Sequence, residues 1–275
     1  MVEERWSPKL LALDIDGTLF VPMPGTGLSN EQVTPVVREA IGRAVDAGCH
    51  VVLASGRSPM SMRRVLEHLD LPRPGAEPAL VVASNGAVTF SFPPMKMMTE
   101  VTFDAREAVR TVLDHVPEAA VAVEEHGVGY RVNRHFPEGE LDGEMIVTPI
   151  EEIFAREVSR VIIRDPDSTS EDFVSLAKKL GLHGTNYFIG WTAWLDIAPE
   201  GISKASGLAE IAGILDVPRA DVLAIGDGRN DIEMLEWSGR GVAMGQAPDV
   251  VKAVADHVTG RVEEDGCATE IARWF

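Results

Sequence analysis

Two aspartates one residue apart, Asp14 and Asp16, follow directly on the apolar run Leu10-Leu11-Ala12-Leu13 and are followed by Gly17-Thr18-Leu19. A run of that length reads as a buried strand, and the glycine permits a tight turn where the strand leaves its sheet. In such a pair, one carboxylate can attack or hold a metal while the other moves a proton. Phosphoryl transfer from an ester to water uses that division. It needs an in-line nucleophile, balanced charge on the phosphoryl oxygens and a proton for the leaving alkoxide. A carboxylate has no proton to lose, and the acyl phosphate it forms is readily hydrolysed. A phosphate dianion repels it unless a cation lies between them. Mg²⁺ fits, since it takes hard oxygen ligands from one or two carboxylates and the substrate phosphate. The expected nucleophile is Asp14 and the expected acid and base is Asp16. Asp227, in Gly226-Asp227-Gly228-Arg229-Asn230-Asp231, would share the cation with Asp14. Lys204 and the hydroxyls of Thr18 and Ser55 would bind phosphoryl oxygens alongside turn amides.

These residues act together only if the fold gathers them. Ser29-Asn30-Glu31-Gln32 reads as a capping box that starts a helix at Ser29, after a Pro- and Gly-rich loop from Val21 to Leu28. Apolar residues from Val33 to Val45 then recur at helical spacing. A second strand runs from Cys49 to Ala54 and stops at Ser55-Gly56-Arg57. Ser58-Pro59 opens a second helix, and a third strand, Ala79 to Ala83, ends at Ser84-Asn85-Gly86. Strand, helix, strand, helix, strand predicts a parallel sheet covered on both faces. Ligands of such sheets bind beyond the carboxyl ends of the strands, where Asp14, Ser55 and Asn85 all fall. From about Ala87 to Asp196 the pattern changes to more strands than helices, beginning with a hairpin around Pro93-Pro94. That stretch reads as an inserted α/β module. The first domain then resumes with a helix capped by Ser203, a strand ending at Gly226 and a closing helix.

Composition narrows the partners. The 275 residues carry a net charge of −18, which argues against nucleic acid, whose backbone needs basic surface. An anionic substrate would need local positive charge from a metal or particular Lys and Arg residues. No apolar run reaches membrane-spanning length. Cys49 and Cys267, the two cysteines, form no metal-ligand spacing and no disulfide framework. The expected setting is cytoplasmic. The basic stretch Tyr130 to His135 reads first as a solvated face, and Trp191 and Trp194 read as rings buried in the insert before they read as walls of a sugar pocket.

Four motifs stand in order along the chain: Asp14-Ile15-Asp16-Gly17-Thr18-Leu19, Ser55 at the end of the second strand, Lys204 in Gly201-Ile202-Ser203-Lys204, and Gly226-Asp227-Gly228-Arg229-Asn230-Asp231. Together they resemble the haloacid dehalogenase superfamily of phosphatases. The insertion falls between the second and third motifs, which resembles the Cof-type subclass with a type IIB cap. Ser55-Gly56-Arg57, Asn85-Gly86-Ala87 and Val242-Ala243-Met244-Gly245-Gln246-Ala247 are similar to that subclass as well. The resemblance implies a Rossmann-like core of residues 1–86 and 197–275, with a specificity-setting cap of residues 87–196. It implies Asp14 as the phosphorylated nucleophile and Asp16 as acid and base, with the Asp16 main-chain carbonyl also on Mg²⁺. Ser55 and Lys204 would bind the phosphoryl group, and Asn230 would support the phosphate or Lys204. Asp227 would ligate the metal, and Asp231 would hold water on it or orient its neighbours. Arg57 and Asn85 are carried as substrate-binding residues.

The expected activity is Mg²⁺-dependent hydrolysis of small phosphomonoesters, sugar phosphates first. A phosphotransferase or phosphomutase would use the same nucleophile and pass the group to a sugar hydroxyl. A non-catalytic protein that binds phosphorylated ligands is the alternative from another class.

Overall fold

The computed structural model describes residues 6–23, 29–165, 168–180, 185–189 and 194–275. In chain order the first segment contains β1 (Leu10–Leu13), β2 (Val21–Pro22), β3 (Ser29–Asn30), α1 (Pro35–Asp46), β4 (His50–Ala54), α2 (Pro59–His68), β5 (Ala79–Ala83), β6 (Val88–Phe92) and β7 (Lys96–Glu100). The middle segment contains α3 (Arg106–Leu113), β8 (Ala120–Glu125), β9 (Gly129–Val132), β10 (Glu144–Val147), α4 (Ile150–Ile153), β11 (Val161–Arg164), α5 (Ser170–Leu180), β12 (Thr185–Ile189) and β13 (Trp194–Pro199). The last holds α6 (Lys204–Ile214), β14 (Val222–Gly226), α7 (Ile232–Trp237), β15 (Arg240–Ala243), α8 (Asp249–Lys252), β16 (His257–Val258) and α9 (Gly266–Ile271).

The larger sheet has the order β16-β15-β14-β1-β4-β5-β6-β7. Strands β16 to β5 pair in parallel, and β6 and β7 add an antiparallel edge. All four residues of β1 are buried, and they alternate between two cores. Leu11 and Leu13 join the apolar cluster under α1, α2 and α9, while Leu10 and Ala12 join the one under α6 and α7. A strand covered on both faces has no polar side, hence its unbroken apolar sequence. The smaller sheet, β10-β9-β8-β11-β13-β12, packs Val121, Val123, Val161 and Ile163 against Val109, Ile153 and Phe173 of its own helices.

Three expectations are corrected. The hairpin read as the start of the insert belongs to the larger sheet: β6 pairs with β5 in register Val81↔Phe90, and Val88 and Phe90 are buried in the first core. Alternating apolar residues set a strand's face without naming its sheet. The capping box at Ser29 does not form. Thr34 caps α1 instead, its hydroxyl accepting from the Val37 amide at 3.2 Å, with Pro35 in the first turn. Ser29–Asn30 pairs antiparallel with Val21–Pro22, so the expected loop is partly strand; residues 24–28 of it lie outside the described residues. The edge strand β10, parallel to β9, was not anticipated. Trp191 is outside the described residues. Trp194 is half-buried, edge-on to Phe136 at 6.0 Å.

Candidate active site

Four strand ends meet where β1, β4, β5 and β14 leave the larger sheet. The turn after β1 carries Asp14, Asp16 and Thr18, and its Gly17 has φ +89°. A Cβ on Gly17 would run into the Asp227 carboxylate, so the turn after β14 packs directly on the turn after β1. The loop after β5 is pressed in the same way. Gly86, at φ +98°, leaves no room for a Cβ against the Ser203 carbonyl at the start of α6. Glycine at both points lets four chain segments close on one spot.

Lys204, in the first turn of α6, is wholly buried. Its Nζ donates to Asp14 Oδ1 at 2.6 Å and to Asp231 Oδ1 at 2.7 Å. The other Asp231 oxygen accepts from the backbone amides of Asp227 (2.9 Å) and Gly228 (2.8 Å), which fixes the turn after β14. Carboxylate oxygens of Asp14, Asp227 and Asp231 lie within 4.8 Å of one another. Gln246, after β15, donates to the Gly17 carbonyl at 2.5 Å and reaches Asp227 Oδ2 at 3.4 Å. Among the described residues, the buried Asp227 Oδ1 and Thr18 Oγ1 have no hydrogen-bond partner.

One ammonium does not balance three buried carboxylates. Burial, together with the charge of Asp231, pushes the Asp14 carboxyl up to about 7. Burial and the charge of Asp14 hold Asp227 well above the ordinary carboxylate range. Burial alone would lower Lys204, but Asp14 and Asp231 outweigh it and raise its pKa. Crowded hard-oxygen donors with one unpartnered oxygen suit a divalent cation such as Mg²⁺.

The Asp16 carboxylate is engaged by a different cation. Arg57 grips it from two nitrogens, Nε and Nη2, each at 2.7 Å, and Arg57 Nη1 also pairs with Glu31 and reaches Ser61 at 3.2 Å. Burial opposes ionisation of Asp16, yet the Arg57 fork outweighs it and holds the carboxyl below its usual range. Arg57, expected at the substrate, is thus engaged with Asp16. Ser55 is buried, and its Oγ accepts from the Arg57 amide at 3.2 Å. Asn85 is fully buried between Asn230, whose amide donates to it at 2.9 Å, and Asp196 of β13, to which it donates at 3.0 Å. So Asp14, Lys204, Asp227 and Asp231 gather in one cluster, while Asp16 with Arg57 and Asn85 with Asn230 form two flanking pairs. Sequence reasoning gave no role to Gln246, Glu31, Asp196 or Arg160. Gln246 lay in a quoted motif and Glu31 in the expected capping box, whereas Asp196 and Arg160 stand in no local pattern that names their partners.

The smaller sheet faces these turns. Arg160, buried just before β11, donates to the Gly56 carbonyl and, at 2.6 Å, to Glu124, and Ser84 Oγ donates to Glu124 at 2.9 Å.

Residues 11–271 match the family of haloacid dehalogenase-like hydrolases. The chain is 30% identical to the 5-amino-6-(5-phospho-D-ribitylamino)uracil phosphatase YcsE of Bacillus subtilis, over 97% of this chain and 95% of that protein. It is 25% identical to YitU of the same organism, which bears the same activity in its name, over 98% of each chain. Among solved structures, BT1666 from Bacteroides thetaiotaomicron, a phosphatase of this superfamily, superposes with a TM-score of 0.77 at 28% identity, covering 100% of this chain and 97% of that one. The fold also matches that of the subclass IIB sugar phosphatase BT4131, with a TM-score of 0.77 at 23% identity, covering 96% of this chain and 98% of that one.

Proposed function

From membership in the haloacid dehalogenase-like hydrolases, to which this chain belongs as a phosphatase, we propose that it hydrolyses small phosphomonoesters, sugar and polyol phosphates first, through an aspartyl-phosphate on Asp14. The observation that carries this reading is the position of Lys204 between Asp14 and Asp231, beside the unpartnered Asp227 Oδ1. Lys204 holds Asp14 Oδ1, which leaves Oδ2 to attack phosphorus. Lys204, Asn230 and the hydroxyls of Ser55 and Thr18 receive the phosphoryl oxygens. Asp16 gives a proton to the leaving oxygen, then takes one from the water that attacks the acyl phosphate and restores Asp14. Held by Arg57, Asp16 is ionised and set as the base. To act as the acid it must exchange Arg57 for a proton, and Glu31 is there to retain the guanidinium. A divalent cation is general to phosphatases of this superfamily; Mg²⁺ held by Asp14, Asp227, Asp231 and the Asp16 carbonyl would neutralise the carboxylates against the phosphate.

Two curated relatives named for 5-amino-6-(5-phospho-D-ribitylamino)uracil favour that ribityl phosphate as a specific substrate. Its phosphate sits on a polyol, inside the proposed class. The residues between β7 and β13 form the proposed cap that selects it.

The test is phosphate release from a panel of sugar phosphates and this ribityl phosphate, with Mg²⁺ and with chelator, for the native protein and Asp14→Asn. Metal-dependent release lost in Asp14→Asn is expected. Transfer to an added sugar without free phosphate would shift the reading to a phosphotransferase, and full activity in Asp14→Asn would overturn the mechanism.

A further inference from the structure

The loop Ser84-Asn85-Gly86 is unusual in its backbone. All three residues are buried and all three have positive φ: +50°, +53° and +98°. Two consecutive non-glycine residues in that region store strain, which persists only where the surroundings impose it. Here the surroundings come from both sheets. The Asn85 amide N–H donates to the Ser55 carbonyl at 3.0 Å and the Ser84 amide to the Arg57 carbonyl at 2.9 Å. From the other side, Glu124 accepts from the Ser84 hydroxyl and Asp196 from the Asn85 side chain.

The direction of each hydrogen bond matters. The Asp196 carboxylate, as an acceptor, turns the Asn85 NH₂ towards itself. The Asn85 carbonyl oxygen then points the other way and accepts from Asn230. That in turn fixes which end of the Asn230 amide faces its neighbours. Asp196 is itself held, with Oδ1 accepting from Trp194 Nε1 at 3.2 Å and from Arg160 at 3.5 Å. Asn230 lies one residue before Asp231, the second partner of Lys204.

We infer that the chain Asp196–Asn85–Asn230 is a positioning relay, through which seating of the smaller sheet on the strand ends orients Asn230 for a phosphoryl group. Asp196 acts on Asn230 through Asn85. With the smaller sheet lifted, Asn85 loses its directing acceptor, its amide is free to flip, and Asn230 loses its fixed orientation. The phosphate-binding turn is therefore completed only when the smaller sheet is in place. This rests on the proposed phosphoryl site.

The test is a double-mutant cycle on binding of inorganic phosphate, measured by calorimetry in Mg²⁺, with Asp196→Ala, Asn230→Ala and the pair. Loss of one such hydrogen bond is expected to weaken phosphate binding about five- to tenfold in Asp196→Ala. In the Asn230→Ala background the same change is expected to alter binding less than about twofold, because the relay already lacks its end. Asp196→Asn keeps an acceptor for Asn85 and is expected to retain most of the affinity. Unchanged binding in Asp196→Ala, or the same loss in both backgrounds, would overturn the relay while leaving the phosphatase reading intact. If the native protein binds no phosphate, the site reading fails and the relay with it. Should Asp196→Ala not fold, Asn85→Gly opens the relay in its middle at a φ that glycine adopts freely, and the same cycle against Asn230→Ala decides.

Discussion

At the scale of single residues the site is a problem in unbalanced charge. Lys204 is the cation that the described side chains place against Asp14 and Asp231. Replacing it with Met leaves two ionisable groups buried without their partner, a change that costs about 3–5 kcal/mol in comparable buried pairs. It should also remove the charge proposed to face the phosphoryl oxygens, lowering kcat about 100-fold or more. Urea unfolding and steady-state kinetics would show both. Lys204→Arg should not restore activity, because a planar fork cannot replace a compact ammonium in a slot with no exposed surface. Arg57 makes a different prediction. It keeps the Asp16 carboxyl below its usual range, so Asp16 loses its proton at a lower pH than it would alone. Arg57→Ala should raise that pKa and move the basic limb of kcat/KM, where Asp16 must still carry the proton it gives to the leaving oxygen, to higher pH, while phosphate affinity changes little. A basic limb that stays put would mean that Arg57 does not hold Asp16 in the working enzyme.

At the scale of elements, the turns carry the candidate site and the strands carry the legibility. Gly17 shows why a turn residue is not replaceable: its φ of +89° disfavours a side chain, and a Cβ would displace the Asp227 carboxylate. Gly17→Ala is expected to cost about 1–3 kcal/mol in stability from backbone conformation alone. It should also abolish metal-dependent phosphate release, since Asp227 must move. Thermal unfolding and the release assay would separate the two effects. The strands that end at these turns were readable because a doubly covered strand has to be apolar throughout, as Leu10–Leu13 and Val222–Gly226 are. Asp14, Asp227 and Lys204 were readable for a related reason, since each stands immediately beyond an apolar run or a capped helix start. What escaped was set by contacts distant in sequence. Thr34 outcompeted Ser29 as helix cap because Pro35 follows it, and Ser29–Asn30, expected to start the helix, pairs instead with Val21–Pro22 of the expected loop. The hairpin β6–β7 had the correct strands and the wrong sheet. Arg57 showed its charge in the sequence, but its bond to Asp16 spans 41 positions, and no local pattern reports a partner that far away.

At the scale of the whole molecule, the acidic cluster links stability to pH and to cations. The chain as a whole is acidic, with a net charge of −18, so long-range repulsion adds nothing to relieve the buried carboxylates. The unfolded Asp14 carboxyl titrates near 3.8, and the folded one near 7. Between those values the folded state binds more protons than the unfolded state, so stability falls as pH rises through that window, with the loss complete above it. Asp227, also raised, contributes in the same direction. Lys204, raised as well, stays charged across the window and does not offset the loss. A divalent cation bound by these carboxylates needs them ionised, so it competes with the protons and restores the stability that ionisation removes. Without added metal, the melting temperature should therefore be lower at about pH 8 than at about pH 6 as far as this cluster contributes. Saturating Mg²⁺ should raise it several degrees at the higher pH and much less at about pH 5, where protons occupy the same oxygens. Asp227→Asn removes one of the carboxylates and relieves repulsion, so its metal-free protein should be more stable than the native one at the higher pH, while its Mg²⁺-induced gain shrinks. Calorimetric scans across this pH series, with Mg²⁺ and with chelator, measure all of these differences. An equal Mg²⁺ effect at both ends of the series, unchanged by Asp227→Asn, would place cation binding elsewhere on the acidic surface and leave Lys204 to face the three buried aspartates.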